Sequence, residues 1–420
     1  MSKSKLISAI DVGSAKITSL IAQHREDEPG KLHIIGASSV PSRGVRKGQI
    51  VTIDEAVSAI EESVEAAERM AGYNISQAWV SVGGSHINSQ NSHGVVAVAQ
   101  PQGEIVSEDI RRVLEAAKAV SLPSASEILH VIPRSYTVDS QDGIKNPLGM
   151  TGVRLEVDTH IITGSSPVIK NLTKCVNEVG CDISGLIFSG LASAEAVLTE
   201  TDKELGVVLV DIGGGTMSMA IYLEGALAHS SVMQVGAINV TKDIAAGLRV
   251  SLESAEKIKL HLSSIKSKED DLDLSPLRLP EEMKTVSYKT LHEGIIRYRL
   301  NEMFGMVANA IKESGFGGLT PSGVVLCGGG SLTLGVTESA KRILSMPVKV
   351  GSPIGISGLV DDIDNPAFAS SVGLLRYAQK QMEDESTGRS SFIPSLPSFD
   401  KMPAKGIVNK AAQWIKSLLP

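Results

Sequence analysis

Apolar residues fall along this chain in two registers: unbroken runs that stop at glycine, which predict buried strands, and recurrences every three or four positions with charge between them, which predict helices. Residues 6–22, LISAIDVGSAKITSLIA, and 207–222, VVLVDIGGGTMSMAIY, share one shape. Each gives an apolar strand, an aspartate, a glycine turn and a second strand, and so reads as a hairpin with an acid at its mouth. Residues 324–335, VVLCGGGSLTLG, give another buried strand whose three glycines open a helix, here without an acid. Helical spacing covers 53–71, with Asp54 near its start and Gly72 after its end, and also 107–120, 166–179, 190–199, 239–247, 252–262, 291–314 and 365–381. The repeated hairpin implies two similar halves facing one another.

Between Gly83-Gly84 and Gly164 the texture changes to that of an inserted α+β module. Its His86, His93, His130 and His160 have neither metal-ligand spacing nor a local carboxylate partner, so surface or structural roles are expected. Residues 267–282 are charged and proline-broken, which predicts a surface excursion.

A length of 420 residues with 42% hydrophobic and 21% charged residues supports several compact domains. A net charge of −7 leaves no basic footprint for nucleic acid, and 3% aromatic residues leave few platforms for stacking bases. Cys175, Cys181 and Cys327 make neither a CxxC pair nor an even set, so they read as reduced buried thiols of a cytosolic protein. No signal-peptide core follows Met1, and no apolar run reaches the roughly 18 residues that span a bilayer.

The hairpins carry the candidate chemistry. Glycines 213, 214 and 215 can adopt positive φ and bring backbone N–H groups close to a ligand, as phosphate-holding turns require. Asp11 and Asp211 then face one polyphosphate from opposite sides, and two carboxylates suit Mg²⁺, which keeps several waters and takes few protein ligands. Neither GxxxxGK[ST] nor GxGxxG occurs, so the P-loop and the dinucleotide fingerprint are unavailable. Glu256 and Lys259 lie three apart on one helix face, a spacing that by itself gives an exposed ion pair worth about 0.2–0.5 kcal/mol.

The tail has its own logic. Residues 383–403 are rich in Ser, Pro and charge without periodicity, as in a flexible linker. Beyond them, Ile407, Ala411, Trp414, Ile415 and Leu418 share one helical face, which Val408 widens, and Lys405, Lys410 and Lys416 add positive charge. A tethered amphipathic helix of this kind suits an anchor lying in the interface of an anionic membrane. Partial burial of side chains worth about 1.5–3 kcal/mol each is opposed by ordering costs of about 1–2 kcal/mol per residue, so one tail binds marginally. Each lysine adds about 1 kcal/mol on anionic lipid.

Taken together, the two Asp-x-Gly hairpins, the small-residue helix between them, the AEKIK helix (255–259) and the late GGG turn resemble the actin-like ATPase superfamily. Within it the chain is similar to the FtsA family of bacterial cell-division actins over nearly its whole length. GIKNPLGMTGVRLE (143–156) and HIITG (160–164) look like that family's extra subdomain, which chaperone ATPases, rod-shape actins and sugar kinases of the fold lack. The resemblance implies an actin-like duplicated α/β fold, two halves flanking a nucleotide cleft, with an inserted α+β subdomain and a C-terminal amphipathic helix. Its subdomains would be 1–83 with 162–196, against which 359–382 packs back; 84–161; 197–238 with 318–358; and 239–317. Residues 383–403 would be the linker and 404–420 the membrane helix.

The resemblance also implies ATP with Mg²⁺ as cofactors. Asp11 and Asp211 would act on the metal through water, while Gly13, Ser14, Ala15, Lys16, Gly213, Gly214, Gly215 and Thr216 would hold phosphates. Glu256 and Lys259 would contact ribose and base, and Gly328, Gly329 and Gly330 would approach the adenosine. Implied partners are the C-terminal peptide of the tubulin-like protein FtsZ at a site including Arg299 and Glu302, further copies of the chain in head-to-tail filaments, anionic lipid at the cytoplasmic face of the cell membrane, and other division proteins.

Three departures from the family pattern bear on hydrolysis. Ser218 stands where an acid usually follows the hairpin threonine, residues 236–239 (GAIN) replace a glycine-plus-histidine pattern, and Ser189 occupies a position where hydrolytic relatives often carry Glu. General-base help is worth about 10²–10⁴-fold, so ATP binding with very slow turnover is expected. The actin-like platform protein of type IV pili shares the core, but the GIKNP module and the lipid-type tail argue against it. A phosphotransferase of the same fold needs an acceptor pocket with a base, and none stands out.

Overall fold

The computed structural model describes residues 5–24, 30–99, 103–264, 271–359 and 363–386. Two sheets carry the body, and they repeat one plan. In the first half, β1 (Lys5–Val12), β2 (Lys16–His24) and β3 (Leu32–Pro41) form an antiparallel meander. β6 (Gln77–Val82) and β11 (Asp182–Phe188) then add in parallel beyond β1, and β19 (Ile356–Gly358) closes the edge on β3. A short hairpin, β4 (Val45–Arg46) and β5 (Gln49–Ile50), precedes helix α1 (Ile53–Ala71), which ends on Gly72 in the left-handed region at φ 71°.

The second half repeats the meander with β12 (Val207–Ile212), β13 (Met217–Leu223) and β14 (Ala226–Met233), and β17 (Val324–Cys327) and β18 (Val348–Val350) add in parallel beyond β12. Every residue of β12 is buried, as an apolar run covered on both faces must be. Helices α3 (Ser166–Glu178), α4 (Ser189–Val197) and α5 (Glu200–Leu205) join the halves, and α11 (Ala369–Ser386) returns to pack on α4. That contact is close because of Gly373, where a Cβ would lie 1.8 Å from the Ala192 carbonyl oxygen.

Above the second sheet, α6 (Ala237–Leu248), α7 (Leu252–Ser264), α8 (Tyr288–Leu291), α9 (Arg297–Ser314) and α10 (Val336–Leu344) enclose a separate core around Phe304, Met303 and Ile258. Three expectations change here. The single helix expected over 291–314 is interrupted by a π-helical turn, His292–Ile296, which contains Gly294 and sets His292 against the ring of Tyr288 at 5.2 Å. The expected surface excursion, in its described part, pairs β15 (Asp271–Asp273) with β16 (Thr285–Ser287) and buries Leu272, Leu274 and Leu279, apolar residues that the surrounding charge conceals in sequence. The glycines after β17 open a 3-10 turn, Gly329–Leu332, and α10 starts only at Val336. The first residues of the expected linker, 383–386, belong to α11, while 387–420 lie outside the described residues.

The inserted module is a four-stranded antiparallel sheet, ordered β7 (Asn88–Ala97), β10 (Arg154–Ser165), β8 (Ser126–Val138) and β9 (Gln141–Ile144), with α2 (Ser107–Ala117) packed on it. Its histidines are not all bare. His93 lies between Asp158 and Glu156 across the β7–β10 pair, at 2.9 and 3.0 Å, carboxylate partners that sequence distance had hidden.

Two others fasten the module to the body. Buried His130 accepts a hydrogen bond from the Phe188 amide at the end of β11, at 3.0 Å. The Asn91 side chain donates to the Ala228 carbonyl at 3.3 Å, so its oxygen faces His160 Nδ1 at 2.7 Å. His160 Nδ1 therefore carries the proton, and its Nε2 accepts from the Ser230 hydroxyl at 2.9 Å. Both rings are used neutral, and burial pushes His130 down to about 4 and His160 down to about 3, the latter with help from His229, Arg134 and His130.

The unfolded chain takes up these protons near pH 6.5, whereas the folded chain refuses them until far lower, so the stability they contribute is present at neutral pH and lost as pH falls. At about 1.4 kcal/mol per pH unit, each histidine should withdraw roughly 2 kcal/mol by pH 5. Thermal melts between pH 7.5 and 5 should show this decline, flattened in His160→Asn; parallel curves for variant and parent would exclude the assignment.

Candidate functional site

The two hairpins meet tip to tip over a cavity of about 220 Å³. Their turns close alike, with Gly13 N–H donating to the Lys16 carbonyl at 3.1 Å and Gly213 N–H to the Thr216 carbonyl at 2.9 Å. A Cβ on Gly214 would lie 2.6 Å from the Ala15 methyl, so the approach of the turns requires glycine there. The first turn of α6 holds the second hairpin from behind, Ala237 and Ile238 N–H donating to the carbonyls of Gly213 and Gly214 at 2.9 Å each. With those carbonyls engaged, the amides of Ser14, Ala15, Gly214 and Gly215 donate to no protein acceptor among the described residues. They form the kind of N–H cradle that binds phosphate.

Asp11, near the end of β1, accepts a 2.5 Å hydrogen bond from Ser81 of β6, and Ser81 in turn accepts from the Val12 amide. Asp211, near the end of β12, accepts a 2.6 Å hydrogen bond from Ser193 of α4 and is 8% exposed. Burial pushes the Asp11 carboxyl up against the opposing pull of Ser81, Lys16 and Ser370. Asp211 is pushed up to about 6 by burial, with neighbouring Asp11 adding to the rise and Ser193 and Lys16 opposing it. Lys16, whose Nζ sits 3.5 Å from the centre of the Phe368 ring, is itself pulled down by burial. One lysine thus stands against two carboxylates, a set with charge to accept a further cation.

Among the described residues no three His, Cys, Asp or Glu side chains come together as a metal site. Two carboxylates facing a cradle of amides fit Mg²⁺ held through water, since that ion dehydrates reluctantly and keeps few protein ligands.

Asp11, Gly13, Ser14, Ala15, Lys16, Asp211, Gly213, Gly214, Gly215, Thr216, Gly328 and Gly329 all line this one cavity. Gly330 does not; it lies behind, where a Cβ would sit 2.3 Å from Ile212 Cγ2. Glu256 and Lys259 do not line it either, and they are more than an exposed pair. Lys259, 7% exposed, donates to Glu256 at 2.7 Å and to Thr241 of α6 at 2.9 Å. Arg299 and Glu302 pair with each other on α9, away from the cavity, and Asp243 of α6 grips the Arg299 guanidinium with both oxygens at 2.6 and 2.9 Å.

Ser81, Ser193, Ser370 and Phe368 escaped the sequence reading, because single residues in a strand or small-residue helix carry no motif. Ser189 and Ser218 both line the cavity, their hydroxyl oxygens 3.2 Å apart.

Comparison with known proteins places these features in a family. Residues 84–163 match the SHS2 domain inserted in FTSA, and residues 208–373 match Cell division protein FtsA. The Cell division protein FtsA of Pseudomonas aeruginosa is 37% identical over 418 residues, 98% of this chain and 98% of its own. Among solved structures, a PilM-PilN type IV pilus biogenesis complex aligns at a TM-score of 0.64 and 14% identity, over 89% of this chain and 98% of its own. MreB 5 of Spiroplasma citri bound to AMPPNP aligns at 0.52 and 13% identity, over 91% of this chain and 99% of its own. These last two likenesses establish the actin-like fold.

Proposed function

The chain belongs to the FtsA family of cell division proteins, and from that membership and the two-jawed cavity we propose that it binds ATP with Mg²⁺, assembles with copies of itself, and links FtsZ to the cytoplasmic face of the cell membrane. The observation that carries the nucleotide reading is the pair of carboxylates, half-buried Asp11 and buried Asp211, one on each hairpin, facing a shared cradle of amides. In this reading Asp11 and Asp211 orient water on Mg²⁺, and Gly13 to Lys16 and Gly213 to Thr216 hold phosphate oxygens. The metal would offset the charge gathered between carboxylates and phosphates. Gly328 and Gly329 form the adenosine side, with Gly330 behind them. Glu256 and Lys259, locked to Thr241 one helical turn inside α6, complete it.

The tail at 404–420 is the membrane helix of this reading, with Ile407, Val408, Ala411, Trp414, Ile415 and Leu418 inserted among lipids. Among the described residues no helix is long and apolar enough to cross a membrane. Arg299 and Glu302, stiffened by Asp243, offer charge to the FtsZ C-terminal peptide. Self-assembly makes marginal tails cooperate, since linked weak anchors gain by effective concentration. Other division proteins join through the same membrane-bound assembly.

Asp211→Asn tests the clamp. Removing a carboxylate held above its ordinary range should raise the melting temperature of the nucleotide-free protein at pH 7.5, because ionising it against a shift of about two units costs roughly 3 kcal/mol. The same change should weaken Mg-ATP binding at least tenfold in a fluorescence titration. Unchanged affinity for Mg-ATP would count against both the metal role and the cavity.

A further inference from the structure

A second cavity, of about 470 Å³, opens where the inserted sheet meets the second half. Its apolar wall is made by Leu205 of α5, Leu223 of β13, and Phe316 and Leu319 from the loop after α9. Leu205 is 58% exposed and Leu319 56% exposed, two large apolar side chains held in water on one groove. The backbone beneath is tight: at Gly206, with φ +96°, a Cβ would lie 2.3 Å from the Leu319 carbonyl oxygen. Charge at the rim is balanced. Arg134 lies 5.5 Å over the Phe316 ring, Glu204 pairs with Lys145 at 2.8 Å, and Glu224 sits opposite. The groove therefore offers apolar contact rather than a field.

We propose that residues 404–420 of the same chain dock in this groove as an amphipathic helix, and that docking competes with lipid for the same apolar face. This rests on the reading of that segment as the membrane helix. Two observations select it as the occupant. First, α11, from whose end the tail departs, runs past the helix that carries Leu205: Lys380 of α11 lies 3.8 Å from Glu195, and Glu195 lies 3.0 Å from Lys203 of α5. From Ser386, the last residue of α11, the intervening residues 387–403 can span about 3.3–3.6 Å each, ample to return to α5. Second, Ala411, Trp414, Ile415 and Leu418 stand at i, i+3, i+4 and i+7, the spacing by which an amphipathic helix fills an apolar groove.

A tether of this length gives an effective concentration near millimolar, so even a weak intrinsic contact fills the groove much of the time. Membrane attachment draws on Lys405, Lys410 and Lys416 and weakens with salt, whereas the neutral groove does not, so salt moves the tail from lipid to groove.

Hydrogen exchange followed by mass spectrometry, on the full chain and on residues 1–403 at sub-micromolar concentration, tests this directly. Amides of 316–320 should exchange about two- to tenfold more slowly in the full chain. Leu205→Glu with Leu319→Glu in the full chain should restore the faster exchange, leave the melting temperature unchanged, and bind vesicles of mixed anionic and zwitterionic lipid about threefold more tightly than the parent. Equal exchange in the full chain and in 1–403 overturns the proposal without needing the variant. Slowing that depends on protein concentration also overturns it, because it identifies a second copy as the occupant. If 1–403 binds vesicles as tightly as the full chain, the membrane reading fails, whatever the exchange shows at the groove.

Discussion

Gly328→Ala should unfold a large fraction of the protein and abolish Mg-ATP binding in what remains, although it adds a single methyl group. Gly328 has φ 78° and ψ 163°, a region open essentially to glycine, where other residues store about 1–3 kcal/mol of strain. Its Cβ would also fall 2.1 Å from Asp211 Oδ1 and 2.6 Å from the Ile212 carbonyl oxygen. Relief by moving the backbone would break the 2.9 Å hydrogen bond from its amide to the Pro366 carbonyl. A loss of more than about 3 kcal/mol in denaturant melts is expected, since strain and overpacking add. Gly329→Ala is the control one residue away: its Cβ would meet only the Ala367 methyl at 3.7 Å, and stability should be unchanged. Equal behaviour of the two variants would mean that the strand-to-turn geometry is not as described.

Ser218→Asp should gain activity rather than lose it. Ser218 lines the cavity with its hydroxyl 3.2 Å from that of Ser189, and neither hydroxyl is a base at neutral pH. If the proposed site holds Mg-ATP, an acid placed there would supply general-base help worth about 10²–10⁴-fold, and a rise of about 10²-fold in steady-state ATP turnover over the parent is expected. The variant places a third carboxylate near Asp11 and Asp211, so its nucleotide-free form should melt lower than the parent and recover with Mg-ATP. Parent turnover of several per second would remove the premise, and an unaltered low rate in Ser218→Asp would assign the slow step elsewhere.

Much of the fold was legible because its signals are local. An apolar run ending in Asp-x-Gly is a strand and a tight turn wherever it occurs, and its second appearance disclosed the duplication. Helix ends were legible for the same reason, as at Gly72, where a left-handed C-cap needs glycine. What stayed hidden depends on distant partners. Ser81 lies 70 residues from the Asp11 it supports, and His93 lies 65 from Asp158. The burial of Leu272 and Leu274 was masked by adjacent charge, since alternation over a three-residue strand is too short to read. At the cavity the hairpin residues were legible. The place of Glu256 and Lys259 was less so, because spacing reports a shared face but not that Thr241 sits between them. The π-helical turn at His292–Ile296 had no periodic signature at all.

In the proposed function one chain joins FtsZ to lipid, with the cavity holding ATP and the tail holding the membrane. Co-sedimentation of FtsZ with anionic liposomes and this protein in Mg-ATP, with and without residues 404–420, tests it most directly. The account predicts that FtsZ pellets with liposomes only when the full chain is present, and that deleting the tail returns it to the supernatant while the deleted chain still binds the FtsZ C-terminal peptide. Recruitment of FtsZ that is indifferent to the tail, or a full chain that reaches the liposomes and leaves FtsZ in solution, would contradict it.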